Sequence, residues 1–81
     1  MSKREKLYQR ILSKPKDLRF QELKKVLLDC GYQLDHHTGS HVIFTKAGCN
    51  ALSIPDSTPV KSYLIKQVLA EIGECLEDML D

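Results

Sequence analysis

His36, His37 and His41 lie close together in the middle of this chain, and imidazole is the side chain that exchanges protons most readily near neutrality, since it titrates at about 6.5 when unperturbed. His41 has the most constrained setting of the three. The stretch Gly39-Ser40-His41-Val42-Ile43-Phe44 reads as a tight turn that delivers a histidine to the start of a β-strand. A glycine accepts the positive φ that a hairpin turn requires, and Val42, Ile43 and Phe44 suit a pleated surface. Held on a strand beside a loop, His41 is a candidate acid or base. The plainer reading is a polar residue on the solvent side of a sheet.

A metal site is a further reading, built from His36, His37, His41 and Cys49. It meets a geometric objection, because neighbouring residues of a regular strand point to opposite faces, so His36 and His37 could hardly share one ion. No metal is assigned on that ground. Cys30, Cys49 and Cys75 include no CxxC pair, and they read as small buried apolar residues kept reduced.

A chain of 81 residues, 42% hydrophobic and 28% charged, fits one globular domain with a single small core. It leaves little room for a deep pocket, and no cofactor is expected. No apolar run approaches the ~18 residues of a membrane span, and no signal-peptide core follows Ser2-Lys3-Arg4-Glu5-Lys6, which places the chain in the cytoplasm with no membrane role. The net charge of +1 hides an asymmetry: residues 1–30 hold nine Lys/Arg against four Asp/Glu, whereas residues 31–81 hold three lysines against seven acids. A basic half can lie along phosphates and an acidic one against a basic partner, although solvated faces explain the same counts.

The elements that must position His41 follow from periodicity. Leu7, Tyr8, Ile11 and Leu12 predict an amphipathic helix over Lys3 to Ser13, ended by Pro15. Asp17 is the expected cap of a second helix with the stripe Phe20, Leu23, Val26, Leu27 and Cys30, stopped by Gly31 and showing Lys24 and Lys25 outward. The period then becomes two. Tyr32, Leu34 and His36 are expected on one face of a strand, with Gln33, Asp35 and His37 on the other. After the turn at Thr38-Gly39-Ser40, Val42 and Phe44 oppose His41, Ile43 and Thr45, so a core containing Phe44, Tyr32 and Leu34 leaves His41 on the exposed face. A turn over residues 46–50 leads to a third strand from Ala51 to Ile54, closed by Pro55. Leu64, Ile65, Val68, Leu69 and Ile72 then predict a helix beginning between Pro59 and Tyr63, with Thr58 or Ser62 as the capping hydroxyl. Leu76, Met79 and Leu80 extend its stripe among acids, either folding back onto the domain or offering a partner a sticky surface.

With these elements in order, the chain resembles the HicA-type (YcfA-like) toxins of bacterial type II toxin-antitoxin systems. The resemblance runs from about Leu18 to about Ile72, through R-F-Q-E-L-K-K-V-L-L, G-Y-Q-L-D, G-S-H-V-I-F and S-I-P…P-V-K-S-Y-L-I-K-Q-V-L. It implies an α+β fold like that of double-stranded-RNA-binding domains: a three-stranded antiparallel sheet with helices on one face, in the order α-α-β-β-β-α. Residues 1–81 then form a single domain, with an N-terminal helix over 1–14, a core over 18–72 and an acidic helical extension over 73–81.

The resemblance also implies an mRNA endonuclease neutralised by a HicB-type antitoxin, with the family's catalytic histidine at His41. In that role Gly39 shapes the turn and Ser40 positions backbone or binds phosphate. Lys61 and Lys66 are candidate phosphate contacts, and Lys24, Lys25 and Lys46 weaker ones. The pattern departs at Asp56-Ser57, where many members carry a further histidine. If that residue shares the proton transfers, this protein is slower or relies on His36 or His37. The alternatives are a noncatalytic RNA-binding module of the same fold and a protein-interaction domain working through its acidic tail.

Overall fold

The computed structural model describes residues 3–57 and 59–80. Helix α1 spans Lys3–Leu12 and buries Tyr8 and Ile11, as its apolar spacing predicts. Its end is sharp because Lys14 adopts φ +56° just before Pro15, which cannot continue the helix. Helix α2 spans Phe20–Asp29 and buries Phe20, Leu23, Val26 and Leu27.

The start of α2 corrects the expected cap. The boundary residue is Arg19, whose backbone N–H donates to Glu22 Oε1 at 3.0 Å, while Asp17 receives Arg10 Nη2 at 2.8 Å. Asp17 lies two residues too early to meet the orphan N–H groups of the first turn, and Glu22 at the third helical position does part of that work from inside the helix. The far end of α2 follows expectation. Gly31 takes φ +93°, so that its N–H reaches the Leu28 carbonyl and the Tyr32 N–H reaches that of Leu27, closing the last turn.

Strands β1 (Gln33–Thr38), β2 (His41–Thr45) and β3 (Leu52–Pro55) form an antiparallel sheet in the order β1-β2-β3. Along β2 and β3, Val42, Phe44, Leu52 and Ile54 are buried and their neighbours are not. One face of the sheet is therefore packed and the other bare.

In β1 the expected alternation fails. Gln33 pairs with Thr45 and Leu34 with Phe44, but the next pairs are His36 with Ile43, His37 with Val42 and Thr38 with His41. Asp35 is an extra residue, a β-bulge, and one extra residue exchanges the faces of everything after it. His36, expected beside Leu34 on the packed face, lies on the bare face with Ile43 and His41. His37 changes to the other side.

Helix α3 runs unbroken from Ser62 to Leu80, through Gly73. Ser62 is its first residue rather than its cap; the boundary is at Lys61, whose carbonyl accepts from the Leu64 and Ile65 N–H groups, and Thr58 lies outside the described residues. Ile72 and Leu76 are fully buried and Met79 and Leu80 pack against the core, so the tail folds back, with α1 packed against α3. Glu71, Glu74, Glu77 and Asp78 stay on its exposed side. All three helices contribute to one apolar cluster with the packed sheet face. Among the described residues, no helix is long and apolar enough to cross a membrane.

Candidate active site on the bare sheet face

Thr38 and His41 are direct cross-strand partners, so Gly39 and Ser40 alone make the turn. Gly39 has φ +61°, and among the described residues Lys14 is the only non-glycine with positive φ. A left-handed first position followed by an ordinary one is the pattern of a tight hairpin turn led by glycine. A Cβ on Gly39 would meet nothing within 4 Å, so the glycine serves the backbone angle and not a close approach. The turn is also tied from outside, because the Asp56 N–H donates to the Ser40 carbonyl at 2.8 Å. That bond brings the segment after β3 against the G-S-H turn, a long-range contact that sequence periodicity carries no sign of.

His41 is exposed at the first position of the central strand, flanked on the same face by Thr38 of β1 and Pro55 of β3. Exposure on a hydrogen-bonded strand gives it a fixed backbone and an open approach, the combination an acid or base needs to meet a polymer. Nearby on this face, the His36 Nδ1 lies 2.8 Å from Asp35 Oδ2, with both side chains about half exposed. This pair was hidden in the sequence, because the bulge that assembles it has no compositional mark.

The lysines are dispersed. Lys61 and Lys66 are exposed at the start of α3, but five residues on a helix turn by about 140° between the two, so they do not share a line. Lys24 is half-buried and Lys25 exposed on α2, in the layer on the other side of the sheet from His41. Lys46 is occupied: its Nζ donates to the Cys30 carbonyl at 2.7 Å and lies 5.7 Å from the Tyr32 ring centroid. There it helps close the C-terminus of α2, where the last carbonyls lack helical partners.

Of the cysteines, Cys30 is buried as expected, with its thiol pushed up to about 12 by burial and then by a hydrogen bond to Cys75. Cys75 is half-buried and Cys49 exposed, which corrects the expectation for Cys49: it sits in a turn that leaves the sheet. Among the described residues, no group of three His, Cys, Asp or Glu side chains could hold a metal ion.

An open groove elsewhere is lined by Arg10, Lys16, Asp17, Arg19, Gln21, Glu22 and Pro59 and includes no residue of the sheet. Its charges are largely internal, since Arg10 bonds both Glu22 and Asp17. Burial opposes ionisation of Glu22, but the Arg19 N–H and the Arg10 guanidinium outweigh it and hold the carboxyl below its ordinary value.

Residues 20–74, about two thirds of the chain, match the sequence model of a family described as the HicA toxin of bacterial toxin-antitoxin. No curated protein and no solved structure matches the chain. The matched stretch begins at the first residue of α2, contains the whole sheet with its G-S-H turn, and ends within α3. This chain belongs to the HicA toxin family of bacterial toxin-antitoxin systems.

Proposed function

We propose that the protein is the RNA-cleaving member of its toxin-antitoxin pair, an mRNA endonuclease that works without a metal through His41 and is neutralised by a HicB-type antitoxin. Family membership supports an RNA-directed toxin. The observation that carries the chemistry is the exposed His41 at the head of the central strand, beside a turn pinned by the Asp56 N–H.

RNA brings its own nucleophile. His41 takes the proton of a 2′-hydroxyl as that oxygen attacks the adjacent phosphorus; the bond from phosphorus to the 5′-oxygen breaks, giving a 2′,3′-cyclic phosphate and a 5′-hydroxyl end. General base help of this kind contributes roughly 10²–10⁴-fold. Gly39 and Ser40 set the approach of the backbone, while exposed Lys61 and Lys66, which point in different directions at the start of α3, are separate phosphate contacts away from the reacting bond. Lys24 and Lys25 are distal contacts, and Lys46, engaged with the Cys30 carbonyl, contributes least. An mRNA substrate places the activity in the cytoplasm.

The test is cleavage of a long single-stranded RNA in the presence of EDTA, with His41→Ala protein and a 2′-deoxy substrate as controls. Cleavage by the natural chain, lost in both controls, is the expected result. RNA bound and left intact would replace this reading with a noncatalytic binding module, and RNA neither bound nor cut would leave the protein-interaction reading.

A further inference from the structure

Strand cleavage through the 2′-oxygen requires two proton transfers, one from the nucleophile and one to the leaving 5′-oxygen. His41 serves one of them. Asp56 and Ser57, in the segment tied to the turn, bring a carboxyl and a hydroxyl but no imidazole. A second group has to come from elsewhere on the bare face.

We infer that His36 is that group, the acid that protonates the leaving 5′-oxygen, placed diagonally from His41 on the bare face by the bulge at Asp35. The inference rests on the nuclease reading of His41 and adds a residue to it. Three observations carry it. The register after the bulge pairs His36 with Ile43 and Thr38 with His41, so His36 and His41 are diagonal neighbours on one face, about 7–8 Å apart across the strands. That spacing leaves room for a phosphate between the two rings.

Asp35 Oδ2 lies 2.8 Å from His36 Nδ1, so the carboxylate accepts from Nδ1–H and orients the ring, leaving Nε2 to exchange a proton with substrate. The neighbouring His37 is excluded by parity, since it pairs with Val42 on the packed side. Bulges often re-aim a side chain beside an active site. Without this one, His36 would lie on the Leu34 side and His37, not His36, would share the bare face with His41.

The balance is complete without a co-reactant. One proton leaves the 2′-oxygen for His41 as the oxygen–phosphorus bond forms; one leaves His36 Nε2 for the 5′-oxygen as the phosphorus–oxygen bond breaks. Asp35 holds His36 and touches no reacting atom, so it is a positioning residue. Among the described residues of the three strands, Asp35 and His41 are the titratable groups that share the bare face with His36, and the helices lie behind the sheet.

A leaving-group substitution separates this role from the nuclease reading itself. His36→Ala should cut ordinary RNA roughly 10²-fold more slowly, while cutting an RNA with sulfur in place of the scissile 5′-oxygen at close to the natural rate, because a thiolate departs without a proton. His41→Ala should remain slow on both. Affinity of His36→Ala for an RNA carrying a 2′-deoxy sugar at the scissile position should be unchanged. His36→Ala that cuts ordinary RNA at the natural rate, or is equally slow on the sulfur substrate, overturns the assignment to His36 while leaving His41 in place. A natural protein that cuts neither RNA overturns the reading beneath it.

Discussion

The two sides of β2 are built from alternate residues of one five-residue strand, yet they do opposite work. Val42 and Phe44 have no exposed surface and Phe44 meets the ring of Phe20 at 6.4 Å between centroids. Ile43 and Thr45, one residue away, are only half-buried, and His41 is exposed. On the packed side, neighbouring layers dictate residue type through volume. On the bare side nothing packs, so the sequence is free to hold histidines, and backbone hydrogen bonding still holds them in place. Leaving one sheet face uncovered thus gives its exposed side chains a rigid backbone.

The comparison sharpens first on stability. Phe44→Ala should cost about 3–5 kcal/mol, since it empties a fully buried site, whereas Ile43→Ala should cost under about 1 kcal/mol. Urea unfolding of the two variants checks this, and similar losses would mean the bare face is not bare in solution.

Gly39→Ala comes next. With open space around the Cβ and φ at +61°, the cost is one of backbone angle, about 1 kcal/mol or 4–8 °C of melting temperature. It should be accompanied by slower RNA cleavage, because the turn aims His41. Unchanged activity in a destabilised variant would detach the turn from the site.

The smallest effect concerns the helical layer. The Tyr8 hydroxyl donates to Asp29 Oδ2 at 2.7 Å, and burial followed by that bond pushes the phenol up to about 12. A phenol raised in the folded state stabilises the fold below pH 10, and that contribution is lost as pH rises from 10 to 12. Tyr8→Phe should therefore cost about 1 kcal/mol at neutral pH and flatten the alkaline decline in melting temperature. Tyr32, also pushed up to about 12 by burial, keeps the remainder. Its own hydroxyl has no hydrogen-bond partner among the described residues, so Tyr32→Phe should be neutral or stabilising. A matching loss in both variants would contradict the assignment of the bond.

Much of the packed side was legible because burial imposes a period. The stripes Phe20, Leu23, Val26, Leu27 and Leu64, Ile65, Val68, Ile72 have one solution each, and Gly31 stops α2 where expected. His41 was placed on the bare face for the same reason, as the residue out of phase with Phe44. The features that escaped are those set by contacts distant in sequence or by a single inserted residue. Gln33-Leu34-Asp35-His36-His37-Thr38 alternates acceptably with or without a bulge, so the side taken by His36 had no local signal. The bond from Asp56 to Ser40 joins two turns and depends on the completed sheet. Asp17 suits a cap by residue type, while the guanidinium that takes it belongs to α1, a contact with no local mark in the sequence.

The most direct measurement pairs RNA cleavage with thermal unfolding in His41→Ala. Cleavage in EDTA should fall by roughly 10²-fold or more, with a melting temperature within about 2 °C of the natural protein, as expected for an exposed side chain. A folded His41→Ala protein that still cuts RNA at the natural rate would contradict the account, because chemistry would then reside somewhere other than the bare face of β2.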